Sequence, residues 1–324
     1  MLYPFTFKPI FKEIIWGGTD ILPFKGIPAD TRKIGESWEL SHVKHNYSVV
    51  ANGKLAGKTI DSLINEHNSE LLGTKVIKRF GHTFPLLIKF IDARDNLSVQ
   101  VHPNDQFAMK HHQSSGKTEM WYIIKATPDA TLYNGFSQHV EASEYDRRVE
   151  DGSILEVMQK YHVKSGDVFF LPAGRIHAIG PGCLIAEIQQ TSNISYRIYD
   201  YHRKDANGNE RELQTLLAKD AIDYTVHTDY KTLYESIENE ATTLVQCPYF
   251  TTNILNLSQP VRRDFTSLDS FIIYICTSGK AMLHDNKGNI LTIQQGQTIL
   301  LPANTDSLTL TPERPSILLE TYID

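Results

Sequence analysis

Short apolar runs, broken every few positions by Gly, Pro, Asn, Asp or Ser, dominate this chain. Examples are FPLLIKFIDA, LSVQVHP, EMWYIIKA, DVFFLPAG, CLIAEIQQ, FTTNILNL, SFIIYICTSG and SILLETYI. They are rich in Val, Ile, Phe and Tyr, whose branched and aromatic side chains suit a pleated, half-buried surface, so they read as strands. Strands this short and this numerous predict a sandwich or a closed barrel. Helical spacing is confined to three stretches. TIDSLINEHNSELLG (59–73) has an acidic first turn, apolar positions at helical spacing and a closing Gly. SEYDRRVEDGSILEVMQKY (143–161) and NERELQTLLAKDAIDY (209–224) are the others. The expected fold is therefore mainly β, with helices inserted between strands.

The β pattern also repeats. KSGDVFFLPAGRIH at 164–177 can be laid over QQGQTILLPANTDS at 294–307, matching Gly166 to Gly296 and Leu171-Pro172-Ala173 to Leu301-Pro302-Ala303. Upstream, EMWYII at 119–124 matches SFIIYI at 270–275 in pattern. Self-similarity of this kind points to two copies of one β unit. The copies are unequal, and the helical stretch 141–160 is the natural insertion in the first. They also differ in chemistry: Glu119 is matched by Ser270 and His177 by Ser307. Any metal chemistry therefore belongs to the first copy. The division expected is a catalytic unit over residues 1–235 and a degenerate second unit over 236–324.

Composition narrows the classes. The 324 residues carry 32 Lys and Arg against 38 Asp and Glu, a formal charge of −6. Without a basic run, that balance lacks the electrostatic footprint of a nucleic-acid binder. With 41% hydrophobic and 22% charged residues the chain reads as globular. No apolar stretch reaches the roughly 18 residues of a membrane helix, and the first residues lack a signal-peptide pattern. A cytoplasmic location and no membrane partner are the expectation. Cys183, Cys247 and Cys276 form no CxxC pair, and an odd count is not a disulfide framework.

The candidate chemistry lies in four segments. In Leu97–Pro103, alternation puts Ser98, Gln100 and His102 on one strand face and Leu97, Val99 and Val101 on the other. In GKTEMWYII, Glu119 opens an otherwise apolar strand, and Lys117 shares its face and can hold a phosphate as a point charge. In LPAGRIHAI, His177 re-enters a strand after a Pro-Ala-Gly turn. Two imidazoles, a carboxylate and an amide oxygen form an N/O donor set that suits Zn²⁺, with Mn²⁺, Fe²⁺ and Co²⁺ as alternatives. In the fourth segment Glu187 interrupts an apolar strand, where an acid must find a partner or titrate upward. Arg197, whose donor fork suits phosphate or an enediolate, either serves the site or pairs with Asp200. The tandem His111-His112 reads as an exposed loop pair.

These segments carry a family resemblance. KEIIWGG, IGESWELS, PLLIKFIDARDNLSVQVHP, GKTEMWYII, SGDVFFLPAGRIHAIG and EIQQTSNISYRIYDY resemble the type I mannose-6-phosphate isomerases (phosphomannose isomerases) in their short bacterial form. The match runs to about residue 220, and the remainder fits the family's second, degenerate barrel. The resemblance implies two cupin-type (jelly-roll) β-barrels with helical insertions. It implies one zinc ion on Gln100, His102, Glu119 and His177, catalysis by Arg197, and substrate contacts from Ser98 and Lys117. Glu187 corresponds to an acid near the family's active site and is the candidate base; a metal-bound hydroxide, His111 or His112 are the alternatives. The implied substrates are mannose 6-phosphate and fructose 6-phosphate, interconverted through an enediolate by a monomer or homodimer. Two departures stand out: Gly116 where longer members often have His, and Asn193 where many relatives have Asp. The rival readings are a non-catalytic sugar-phosphate-binding cupin and another metal-dependent cupin enzyme, such as an Fe²⁺ oxygenase.

Overall fold

The computed structural model describes residues 2–204 and 207–324. The mainly β expectation holds. A seven-stranded antiparallel sheet runs in the order Lys231–Thr232, Val168–Leu171, Glu119–Ala126, Cys183–Gln190, Leu86–Ala93, Ile10–Gly18, Ile34–Leu40. Facing it is a five-stranded sheet: Met158–His162, Thr131–Phe136, His177–Ile179, Val99–Val101, Tyr196–Tyr199. Side chains of both meet in a core that includes Trp121, Ile123, Phe169, Ile179 and Ile185.

The central strands Leu86–Ala93 and Cys183–Gln190 are buried at all eight positions, which a one-sided strand never is. Their odd-numbered residues face the core between the two sheets, and Leu86, Ile88, Phe90, Ala186 and Ile188 face a second core. That second core is shared with the C-terminal part through Leu244, Phe250, Phe271, Ile273 and Leu319. A third core packs Val99, Val101 and Tyr196, on the outer face of the five-stranded sheet, against helical residues such as Tyr145 and Ala218. The fourth lies within the C-terminal sheet.

That last sheet has nine strands, two of them long, Ile272–Asp285 and Ser307–Tyr322, with register shifts that let each pair with several partners. The chain's first strand, Phe5–Lys8, joins it beside Thr298–Leu301. The repeat is visible in pairing. Val168–Leu171 runs antiparallel to Glu119–Ala126, and Thr298–Leu301 antiparallel to Ile272–Asp285. The registers differ by two residues: Leu171 lies opposite Glu119, whereas Leu301 lies opposite Ile272 and not Ser270.

The helical expectations met different fates. Ile60–Leu72 is a helix, capped by the Thr59 hydroxyl, which accepts from the Ser62 N–H at 3.1 Å. The stretch 143–161 is helical only at Ala142–Glu150. A 3₁₀ turn follows at Ser153–Val157, and Met158–His162 is a strand, because it pairs with Thr131–Phe136. In 209–224 only Thr215–Ala221 is helical. Upstream, Arg211 is drawn to Asp200 and the Glu212 carbonyl to Arg197, so tertiary contacts replace the first turns. His111 and His112 are not a loop pair: they end a helix, Asp105–His112, nucleated by the Asn104 side chain, which accepts from the Phe107 N–H at 2.9 Å. Among the described residues no helix is long and apolar enough to cross a membrane.

Candidate metal centre and adjoining cavity

Three strands of the five-stranded sheet bring the first groups into register. Gln100 lies opposite His177 on one side and Arg197 on the other. Directly opposed residues share a face, so these three side chains project together between the sheets. His102 follows one residue beyond Val99–Val101, and Glu119 enters from the seven-stranded sheet. The ligand-type groups thus come from both walls, and His102, Glu119 and His177 are 2%, 0% and 1% exposed.

One potential ligand atom from each of the three lies within 4.8 Å of the other two. His102 Nε2 is 3.4 Å from Glu119 Oε2, and His177 Nε2 is 3.5 Å from Glu119 Oε1. Each imidazole is turned by a backbone carbonyl: His102 Nδ1 lies 3.1 Å from the Ile194 oxygen and His177 Nδ1 2.8 Å from the Arg175 oxygen. A carbonyl only accepts, so both Nδ1 atoms carry the proton and both Nε2 lone pairs point inward. Burial, then Lys117, push His102 down to about 3, and burial pushes His177 down as well. Burial opposes charge on Glu119, but Lys117 and the imidazoles outweigh it and hold the carboxyl well below its ordinary range. At neutral pH the set is two neutral imidazoles and a carboxylate, the protonation state a cation requires. Glu119 Oε1 and His177 Nε2 are buried without a hydrogen-bond partner, while Glu119 Oε2 meets the Lys117 ammonium at 2.9 Å. Such orphaned groups are costly unless something else satisfies them, and a divalent cation in this N/O set does so.

A cavity of about 310 Å³ adjoins the centre, with Ser98, Gln100, Lys117, Glu187 and Arg197 on its wall. Lys117 belongs to both: its Nζ is 3.0 Å from His102 Nε2 and 2.9 Å from Glu119 Oε2. Arg197 is not paired with Asp200. That acid is taken by Arg203 and Arg211, while Arg197 Nη1 donates to the Glu212 carbonyl at 2.7 Å and its Nε has no partner. Glu187 accepts from the Trp121 indole N–H at 2.9 Å and is ion-paired with Lys89 at 3.0 Å. Neither His111 nor His112 lines the cavity; His111 stacks on Phe107 and His112 Nε2 lies 2.8 Å from the Tyr196 hydroxyl. Asn193 is on the wall, whereas Gly116 is not.

Sequence reasoning missed Lys89, Glu36, Trp38 and Arg211 on this wall. The signal for Lys89 was present: like Glu187 it interrupts an apolar strand, and the two face each other in register. Burial opposes the Lys89 charge, but Glu187 and Glu36 raise its pKa overall, so Lys89 stays charged. Glu36 and Trp38 are separated from it only by the neighbouring strand pairing, which places Trp38 opposite Lys89.

Comparison with known proteins agrees with this geometry. The family profile described as "Phosphomannose isomerase type I, catalytic domain" matches residues 5–136, and "Mannose-6-phosphate isomerase, cupin domain" matches residues 240–317. The mannose-6-phosphate isomerase ManA of Bacillus subtilis is 42% identical over 258 residues, 79% of this chain and 80% of that one. The crystal structure of the mannose 6-phosphate isomerase from Bacillus subtilis superposes with a TM-score of 0.88 at 30% identity, covering 99% of both chains. A mannose 6-phosphate isomerase structure described as holo and zinc-bound shares the fold, with a TM-score of 0.80 at 14% identity over 99% of both chains.

Proposed function

Because the chain belongs to the type I phosphomannose isomerase family of aldose–ketose isomerases, we propose that it interconverts mannose 6-phosphate and fructose 6-phosphate, with zinc held by Gln100, His102, Glu119 and His177. The observation that carries this reading is the buried His102–Glu119–His177 cluster, in which Glu119 Oε1 and His177 Nε2 lack hydrogen-bond partners, beside a cavity with cationic walls. The bound ion supplies Lewis acidity, which polarises the substrate carbonyl and makes the neighbouring C–H acidic enough to lose its proton.

The remaining roles fall to this chain's own groups. Glu187, ion-paired with Lys89, takes the proton from one carbon and returns it to the other through the enediolate. The Trp121 N–H and Lys89 fix its carboxylate in place. Arg197, which has no carboxylate partner among the described residues, stabilises the developing oxyanion with a fixed positive charge. Lys117 and Ser98 hold the sugar phosphate. In this reading residues 1–235 are the catalytic unit and 236–324 its support.

A coupled isomerase assay with metal analysis tests it. Chelation should abolish turnover of mannose 6-phosphate, and added zinc should restore it. Turnover indifferent to chelator, or a purified protein that neither binds zinc nor acts on mannose 6-phosphate, refutes the reading.

A further inference from the structure

The second unit lacks ligand-type residues at the matched positions, yet one of its side chains is wired to the centre. Tyr249 lies in the turn between Ala241–Cys247 and Phe250–Leu257. Its hydroxyl donates to Asp105 Oδ2 at 2.7 Å, across 144 residues of sequence. The other oxygen of Asp105 accepts twice: from the Gly116 N–H at 2.8 Å and from Gln190 Nε2 at 3.0 Å. Gln190 passes the connection on, since its Oε1 accepts from the Thr118 N–H at 2.8 Å. The Lys117 N–H between them donates to the Pro103 carbonyl at 3.0 Å. Every backbone N–H from Gly116 to Thr118 therefore has a partner, those of Gly116 and Thr118 within this web, immediately before Glu119. Thr118 Oγ1 also accepts from the Ala173 N–H at 3.3 Å, in the turn that leads to His177. Asp105 itself begins three residues after His102.

We propose that Tyr249 is a positioning residue: through Asp105 it fixes the Gly116–Thr118 backbone and so presents Lys117 and Glu119 to the metal centre. The part of this inference that concerns metal rests on the function proposed above; the part that concerns the backbone does not. Burial and the Asp105 carboxylate push the Tyr249 phenol up to about 12, which keeps it a donor at neutral pH. The Arg79 guanidinium lies 5.8 Å above its ring, and the ring contacts the shared core, so Tyr249→Phe removes the hydroxyl and leaves the packing.

The test uses the full chain with Tyr249→Phe, Asp105→Asn and the double variant. In Tyr249→Phe the Gly116 and Thr118 amides should exchange hydrogen about tenfold faster, with amides of Leu86–Ala93 unchanged. The zinc dissociation constant, read by chelator competition, should rise roughly three- to tenfold, the scale of one ordinary hydrogen bond. Melting temperature should hardly move. The double variant should be no worse than the worse single variant, as members of one chain of contacts are not additive. Unchanged exchange at Gly116 and Thr118 overturns the proposal. So does acceleration spread over all amides with a lowered melting temperature, which marks a merely structural contact. Should the wild-type chain bind no zinc, the functional reading fails while the exchange experiment still decides the latch.

Discussion

Two backbone carbonyls decide the chemistry of two histidines. Ile194 and Arg175 each hold an Nδ1 proton, and without them His102 and His177 would be ordinary buried imidazoles. The sequence identifies both residues by type and spacing, but not the carbonyls, which any residue supplies. Another buried group carries a pH dependence. Burial raises Asp92 from 3.8 to about 6, against the Asp20 N–H that lowers it. The native state therefore holds this proton more tightly than the unfolded chain does. Its contribution is full below 3.8 and is lost as pH rises through 6. Asp92→Asn keeps the shape and the acceptor without the charge. It should stabilise the protein by roughly 3 kcal/mol at pH 7.5, from a shift of about two units at 1.36 kcal/mol each, with the gain shrinking toward pH 4. Urea melts at pH 4.5 and 7.5 check this, and an equal gain at both would count against it.

At the level of elements, the strands were legible because alternation and β-branched content act locally. Their registers were not, since register is set by partners distant in sequence. The repeat is the clearest case: both copies form the same strand pair, yet the second slides by two residues and puts Leu301 against Ile272. The helix Asp105–His112 was hidden by its modest amphipathicity, although Asn104-Asp105 is a capping signal. Its first turn explains Gly116. A Cβ there would stand 2.5 Å from the Asp105 nitrogen and 2.6 Å from the Asn104 carbonyl carbon, so a histidine at this position needs a different path for the segment. Gly116→Ala should cost about 1–3 kcal/mol, the scale of overpacking against immobile backbone, and should weaken zinc binding together with stability. Chemical denaturation and chelator competition on the same preparation measure both.

Across the whole molecule, the seven-stranded sheet is sandwiched. One face meets the five-stranded sheet around the site, and the other meets the C-terminal sheet through a core that includes Phe90, Ile188, Phe250, Ile273 and Leu319. The chain's first strand lies within that C-terminal sheet. A fragment ending at residue 235 would expose this apolar face and take the Thr298–Leu301 partner from Phe5–Lys8, leaving it only Val49–Val50. It should be aggregated or lack a cooperative melt, as sedimentation and calorimetry would show; a soluble, cooperative fragment would refute this. The sequence by itself determined the mainly β class, the inserted helices, the repeat and the residue types of the centre. Those follow from side-chain chemistry and from periodicities of two and 3.6 residues. Only the tertiary structure decided which polar interruptions meet. Lys89 against Glu187, Arg197 left without Asp200, and Tyr249 wired to Asp105 are set by segments far apart in sequence, because hydrogen bonds and charges act through space rather than along the chain.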